Sequence, residues 1–470
     1  MNWDSIDRIA KKVASGELKA VDLVEKALAR AKEVEDYHSV LQLIEGRSRE
    51  RAMQIDVDVK AGKTDGKLLG VPFIAKDNFL TFDSETTAAS NILKGFNAPY
   101  QATAIERLES EGAICIGKAN LDAFAHGTST ENSDFGVTKN AHDKSRVPGG
   151  SSGGSATAVA LEIVPFALGS DTGGSIRQPA SLSGVVGMKP TYGLVSRYGV
   201  IAMASSTDVI GVLANSTQDV SSVMAVIAGR DEYDSTSIKA DINFANNSTK
   251  QFKVALIKEY MEDGLDPLVR QQINKTVSLI KKSGITVEEI SLPSLKYALA
   301  AYYIVVPAEI SSNLARYDGV KFGHRAKAET LEVMYEESRA EGFGYEAKRR
   351  IMIGSYVLSS GFYDAYYQKA QKVRTLIIND FNRAFADYDL LIGPVSPSPA
   401  FKIGEKSGDP LSLYLEDIMT VAISLAGLPA ISVPTDTGDE LPVGLQIVGK
   451  QQQDAEVIQF ASRVEELQNG

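Results

Sequence analysis

A chain of 470 residues, 44% hydrophobic and 23% charged, has the make-up of a soluble globular enzyme with a large core. Acidic residues outnumber basic ones by 60 to 49, and the net charge of −11 argues against this chain as a main nucleic-acid-gripping surface. A single cysteine excludes an internal disulfide and fits a reducing compartment.

The opening stretch MNWDSIDRIAKK lacks the apolar segment of a signal peptide and reads as an amphipathic helix. No run approaches the ~20 apolar residues of a membrane span, so a cytoplasmic protein is expected. From Ala20 to Val34, apolar residues at helical spacing predict a second helix. LLGVPFIAKDNFL, broken by Pro72, reads as a short strand, and GAICIG as another, with Cys115 a small core residue. A Gly/Ser-rich region spans Thr128 to Ser155. Next come a helix stopped by Pro165, a strand, and a second glycine–serine loop, GSDTGGSIRQPA.

Between Phe252 and Pro293 a strand, a helix with Val269, Ile273, Val277 and Ile280 on one face, and a further strand form a βαβ unit. Residues 294–390 are mainly helical. DLLIGP and LPVGLQIVG add strands, and DAEVIQFASRVEEL a closing helix. Strands and helices mix from end to end without repeat or linker, which predicts one large α/β domain over residues 1–470.

The two glycine–serine loops invite three chemical readings. As phosphate cradles they fail, because Ser155 and Ser175 stand where a Walker loop requires lysine. The elbow G-x-S-x-G is met around both Ser151 and Ser152, but the preceding HDKSRVP is polar. His126 and His142 precede the serines, while His38 and His324 lie in polar stretches. With neither H-E-x-x-H nor paired cysteines, no metal site is expected. The third reading takes Lys76 as a base. Desolvation would lower its pKa and leave an amine able to accept a serine proton, whereas at a surface it would pair with Asp77.

GVPFIAKDN, VPGGSSGGSA and GSDTGGSIRQPASLSGVVGMKPTYGLVSRYGV together resemble the signature of the amidase signature family. The resemblance implies an α/β/α fold around a mixed central sheet covered by helices. It also implies a signature core at about 60–215 and a helical substrate-pocket insertion at about 294–390. It further implies a triad without histidine, in which Ser175 is nucleophile, Ser151 the bridging serine in a cis peptide, and Lys76 the base. Backbone N–H groups of Thr172, Gly173, Gly174 and Ser175 would then form the oxyanion hole.

Longer segments, including AAYYIVVPAEISSNLARYDGVKFG and KRRIMIGSYVLSSGFYDAYYQKAQKVRTLI, resemble glutamine-hydrolysing subunits of tRNA-dependent amidotransferases within that family. That implies glutamine as substrate and no cofactor in this chain. Ammonia would pass to a B subunit that uses ATP and Mg2+ and carries most of the tRNA contact, with a small C subunit bridging the two. Arg350 of KRRIM would take the substrate carboxylate and Asp417 of YLEDIMT its ammonium, with Tyr302 alongside and Arg349 as competitor. His126 stands where the family has methionine or a similar apolar residue, and Thr207, Val209 and Val212 where it has Leu, Gln and Pro. The alternative is a stand-alone amidase acting on another carboxamide, which has no need of the Arg350–Asp417 pair.

Overall fold

Short apolar segments supply the strands: β1 Val40–Leu43, β2 Pro72–Lys76, β3 Ile114–Ala119, β4 Phe166–Asp171, β5 Val186–Lys189, β6 Val209–Ala214, β7 Val254–Ile257, β8 Val287–Ile290, β9 Leu390–Pro394, β10 Ala430–Pro434 and β11 Gly444–Gly449. The computed structural model of the chain describes residues 3–239, 241–244, 250–262 and 264–469. All eleven strands join one sheet in the order β1-β3-β2-β4-β6-β5-β10-β11-β9-β7-β8. The sheet is mixed. Strand β2 runs parallel to β3 and β4, and β7 parallel to β8 and β9, while β4–β6, β6–β5, β5–β10, β10–β11 and β11–β9 are antiparallel.

Every residue of β2, β3, β4, β6, β9 and β11 is buried. Coverage on both faces explains why these strands read as continuous apolar runs rather than alternating ones. Edge strand β8 differs, with Glu288 and Glu289 exposed. The helices that cover the sheet and frame the site include α1 Ile6–Ala14, α2 Ala20–Glu33, α3 Gly153–Ala160, α4 Arg177–Ser183, α5 Pro267–Lys282, α6 Ala298–Asn313, α7 Tyr345–Leu358, α8 Lys369–Asp387 and α9 Asp454–Asn469. Helix α5 buries Val269, Ile273, Val277 and Ile280 and connects the parallel pair β7 and β8, as the βαβ pattern predicts.

Four strands, β1, β5, β6 and β10, lie outside the predicted set. Each is four to six residues long, β5 runs into Pro190, and β10 follows Pro429 and ends on Pro434, so local signals are weak. Pairing recruits them: Met188 of β5 lies opposite Val212 of β6 and Ile431 of β10. In the helical segment, α6 carries Pro307 in its interior and a π-helical turn, Tyr363–Gln368, precedes α8. A Cβ at Gly354 would collide with the Pro307 carbonyl, so this glycine lets α7 lie directly on α6.

One register brings the reactive loops together. Phe73 of β2 pairs with Phe166 of β4, and their rings stack with centroids 5.2 Å apart, a contact worth about 0.5–1.5 kcal/mol beyond its burial. Both strands therefore end at the same sheet edge, which carries Lys76 and the loop after Asp171 together, as expected of ligand sites at the carboxyl ends of parallel strands.

Candidate active site

Lys76, the last residue of β2, is completely buried. Its Nζ lies 2.8 Å from Ser151 Oγ, 2.9 Å from Ser152 Oγ and 2.9 Å from Ser170 Oγ, with the Ser170 carbonyl at 3.3 Å. Asp77 is not its partner: that carboxylate lies 2.9 Å from Nζ of the neighbouring buried Lys118. Without a carboxylate in contact, burial dominates and pulls the Lys76 pKa down to about 7, against the opposing charges of Asp122, Asp171 and Asp208. The neutral amine is thus within reach near neutral pH.

The three hydroxyls are not equivalent. Ser152 Oγ donates to the Ser170 carbonyl at 3.1 Å, so towards Nζ it acts as acceptor. Ser170 Oγ accepts from Asn78 Nδ2 at 3.1 Å. Among the described residues Ser151 Oγ has no partner besides Nζ, so its proton is free to point at the amine lone pair, as is that of Ser170 Oγ, which accepts from Asn78 and donates to no other group. The peptide between Gly150 and Ser151 is cis.

Ser175 sits on the second loop, joined to the first by the Ser152 N–H, which donates to the Ser175 carbonyl at 3.0 Å. Fully buried Arg177 and Asp171 clamp this loop with guanidinium–carboxylate contacts of 2.9 Å, and the Asp171 carboxylate also accepts the Ile176 N–H. Burial alone would raise the Asp171 pKa, but Arg177 holds it below the usual value. Gly174 has φ +155°, and a Cβ there would strike Thr420 Oγ1, so only glycine fits this turn. Among the described residues, the backbone N–H groups of Thr172, Gly173, Gly174 and Ser175 donate to no protein acceptor, and Ser175 Oγ makes no hydrogen bond. The Thr172 hydroxyl donates to Asp208 at 2.6 Å.

Across from this loop stand α6 and α7. Tyr302 is buried, and a Cβ on Gly173 would meet its hydroxyl. Arg350 is 3% exposed, its guanidinium 5.4 Å from the Tyr303 ring centroid and 5.6 Å from that of Tyr414. Its Nε donates to Glu346 at 2.8 Å, and its two terminal amino groups make no hydrogen bond among the described residues. Burial opposes its charge, but Tyr303 and Glu346 keep its pKa above the usual arginine value. Arg349 points elsewhere, 26% exposed and paired with the other Glu346 oxygen. Buried Asp417 accepts from Tyr303 at 2.6 Å and from Gln178 at 3.1 Å. Burial raises its pKa to about 7, opposed by Tyr303 and Arg350.

Several residues of the site carry no sequence signal of their own. Ser170 reaches Nζ only through the β2–β4 register, and Tyr303, not Tyr302, bonds Asp417. Gln178 had a local cue, one helical turn after Gly174, whose carbonyl accepts its N–H at 2.8 Å. None of the four histidines hydrogen-bonds to a serine hydroxyl: His38 and His142 are exposed, and His324 pairs with Glu341. His126 is wholly buried, with neither ring nitrogen hydrogen-bonded among the described residues. Burial first, then Arg350, keep it neutral. Thr207, Val209 and Val212 are buried, the two valines within β6. Among the described residues there is no metal-binding cluster of His, Cys, Asp and Glu, and no helix long and apolar enough to cross a membrane.

The sequence profile of the amidase family matches residues 22–458. The chain belongs to the amidase family. Among its amidase relatives, the A subunit of glutamyl-tRNA(Gln) amidotransferase from Geobacillus thermodenitrificans (strain NG80-2) is 52% identical over 456 residues, 96% of this chain and 94% of that protein. The solved protein of the same name from Thermotoga maritima superposes with a TM-score of 0.80 at 38% identity, covering 97% of this chain and 94% of that one. Peptide amidase from Stenotrophomonas maltophilia gives a TM-score of 0.83 at 26% identity, covering 99% and 97%. The amidase fold thus spans nearly the whole chain, a mixed sheet with helices packed against it.

Proposed function

We propose that this chain hydrolyses glutamine to glutamate and ammonia as the A subunit of a tRNA-dependent amidotransferase. The observation that carries the substrate is the buried pair of Arg350, with both terminal amino groups unengaged, and Asp417, on the wall facing the Ser175 loop. A guanidinium fork matches an α-carboxylate bidentately, and a carboxylate matches an α-ammonium. The relatives named for the glutamyl-tRNA(Gln) amidotransferase support the same reading. A partner B subunit then takes the ammonia and supplies the ATP-, Mg2+- and tRNA-binding surfaces, with a C subunit bridging the two in the cytoplasm.

Neutral Lys76 accepts the Ser151 proton, and Ser151 accepts that of Ser175, whose Oγ attacks the side-chain carboxamide carbon. The carbonyl oxygen gains negative charge beside the N–H groups of Thr172, Gly173, Gly174 and Ser175. Removing one such donor typically costs about 10²–10³ in rate. The proton returns through Ser151 to the departing nitrogen, ammonia leaves, and Ser175 holds a glutamyl ester. Water, deprotonated by the same relay, cleaves the ester to glutamate. The Ser151–Ser175 hydrogen bond is the one link not formed in the free protein, and contacts of this kind commonly tighten only with substrate bound.

Glutaminase assays on wild type and Arg350→Ala test the assignment. A KM for glutamine unchanged by the substitution overturns glutamine as the substrate and leaves an amidase for another carboxamide. A rate that responds to ATP and tRNA once the neighbouring subunits are added carries the complex.

A further inference from the structure

We propose that Asp122, outside the proton relay itself, is a positioning residue for it: its peptide pins the Ser151 turn and its carboxylate is the counter-charge that Lys76 faces. The inference rests on the Lys76 relay. Ala119, which ends β3, lies opposite Lys76 in the parallel register, and three residues later the chain places Asp122 at the same sheet edge. There the Asp122 N–H donates to the Ser151 carbonyl at 3.3 Å. Its carboxylate accepts the N–H groups of Thr130 at 2.9 Å and Asn132 at 3.1 Å. A Cβ at Gly127 or at Gly150 would fall on that carboxylate, so two glycines give it room to press against the peptide of the bridging serine.

Burial raises the Asp122 pKa to about 6, opposed by the N–H groups of Thr130 and Asn132, and the charge it keeps above that pH is the unexplained feature. Asp122 is fully buried, and no cation lies within ion-pair distance of it among the described residues. Two backbone amides can be capped by a neutral side chain, and a buried carboxylate without a cation carries a desolvation cost that capping does not require. Lys76 supplies the reason. Three buried carboxylates act on its amine through space, none of them in contact with it: Asp122 from the turn after β3, Asp171 from the end of β4, and Asp208 from the residue before β6. Asp171 is neutralised by Arg177, and Asp208 is held by the Thr172 hydroxyl and the N–H groups of Met203 and Ala204. Asp122 acts from the Ser151 side. Its charge offsets part of the burial of Lys76 and keeps the amine basic enough to draw a proton from Ser151.

Asp122→Asn keeps the shape and removes the charge. The test follows kcat/KM for glutamine against pH in wild type, D122N and K76A, together with the first-order rate constant of Ser175 labelling by a fluorophosphonate probe. Loss of the charge lowers the Lys76 pKa, so the acid limb of both profiles is expected to move to lower pH by roughly half to one unit. A weaker base also lowers the plateau, by about tenfold. A D122N profile that drops uniformly with its limb unmoved, or does not change, overturns the inference. The labelling rate constant does not depend on how much protein is folded, so a destabilised variant still answers. Full activity in K76A would overturn the relay itself, whereas a dead K76A beside an unmoved D122N limb removes only the role of Asp122.

Discussion

The two walls of the site are built by opposite means. Lys76, Ser151 and Ser175 stand at the ends of buried strands or on loops tied to them, and main-chain pairing sets their places. Tyr302, Arg350 and Asp417 project from α6, α7 and a loop outside the sheet, and Tyr303, Glu346, Gln178 and Tyr414 hold them through side chains. The first wall concentrates its work in single atoms that nothing else supplies. The second spreads its work over several contacts, each replaceable in part. Substitutions on the two walls are therefore expected to differ both in size and in kinetic signature.

The largest effect belongs to the first wall. Lys76→Ala removes the group that takes the Ser151 proton in the proposed relay and is expected to lower kcat by about 10⁴ or more, with KM little changed. Single-turnover glutaminase rates measure this, and a loss below tenfold would erase the contrast between the walls. Next comes Arg350→Ala, with a fall of roughly 10²–10³ in kcat/KM carried mostly by KM, as expected when one partner of a desolvated charge pair is lost. Arg350→Lys is expected to restore little, because a lysine has no planar fork. If its loss instead lies in kcat, the second wall is positioning the reacting carbon and not only gripping the far end of the substrate.

Titration offers a smaller and sharper comparison, since both walls hold a group displaced to about 7. In the proposed reaction, falling pH protonates Lys76, which then cannot accept a proton, and also protonates Asp417, which then cannot hold an ammonium. Both losses run in the same direction. Log kcat/KM is expected to fall below pH 7 with a slope approaching two. With substrate bound, the ammonium keeps Asp417 ionised, so log kcat should fall with a slope of one. Equal slopes in the two profiles would mean that only one wall titrates.

The same division governs how much could be read before folding. The strand run PFIAK, the two glycine–serine loops, the βαβ unit at 252–293 and the helical stretch after 294 are local patterns, and they are legible because their signals lie within a short stretch of chain. Partners set by pairing across long chain separations are not legible. Ser170 reaches Nζ only because Phe73 pairs with Phe166, and Asp77 turns from Lys76 to Lys118 because β3 lies beside β2. Strands β5 and β10 hold places in mid-sheet with too few residues to announce themselves. Arg350 and Arg349 adjoin in sequence, and only the packing of α7 on α6 buries the one and leaves the other partly exposed.

Tyr303 yields the smallest expected effect and the one that most finely separates gripping from chemistry. Its hydroxyl donates to Asp417 at 2.6 Å, while its ring stacks on Tyr414 with centroids 4.1 Å apart. Tyr303→Phe therefore keeps the ring in place and deletes one hydrogen bond to a carboxylate. That bond favours the ionised form, so its loss lets burial raise the Asp417 pKa further above about 7. At pH 7 fewer molecules then carry the charge proposed to hold the ammonium, and KM for glutamine is expected to rise about five- to tenfold, the effect of a further pKa rise of about one unit. Raising the pH to about 8.5 restores the ionised carboxylate, so most of the loss should disappear there, with kcat steady throughout. A rise in KM of equal size at both pH values would mean that the hydroxyl touches the substrate directly and does not act through Asp417.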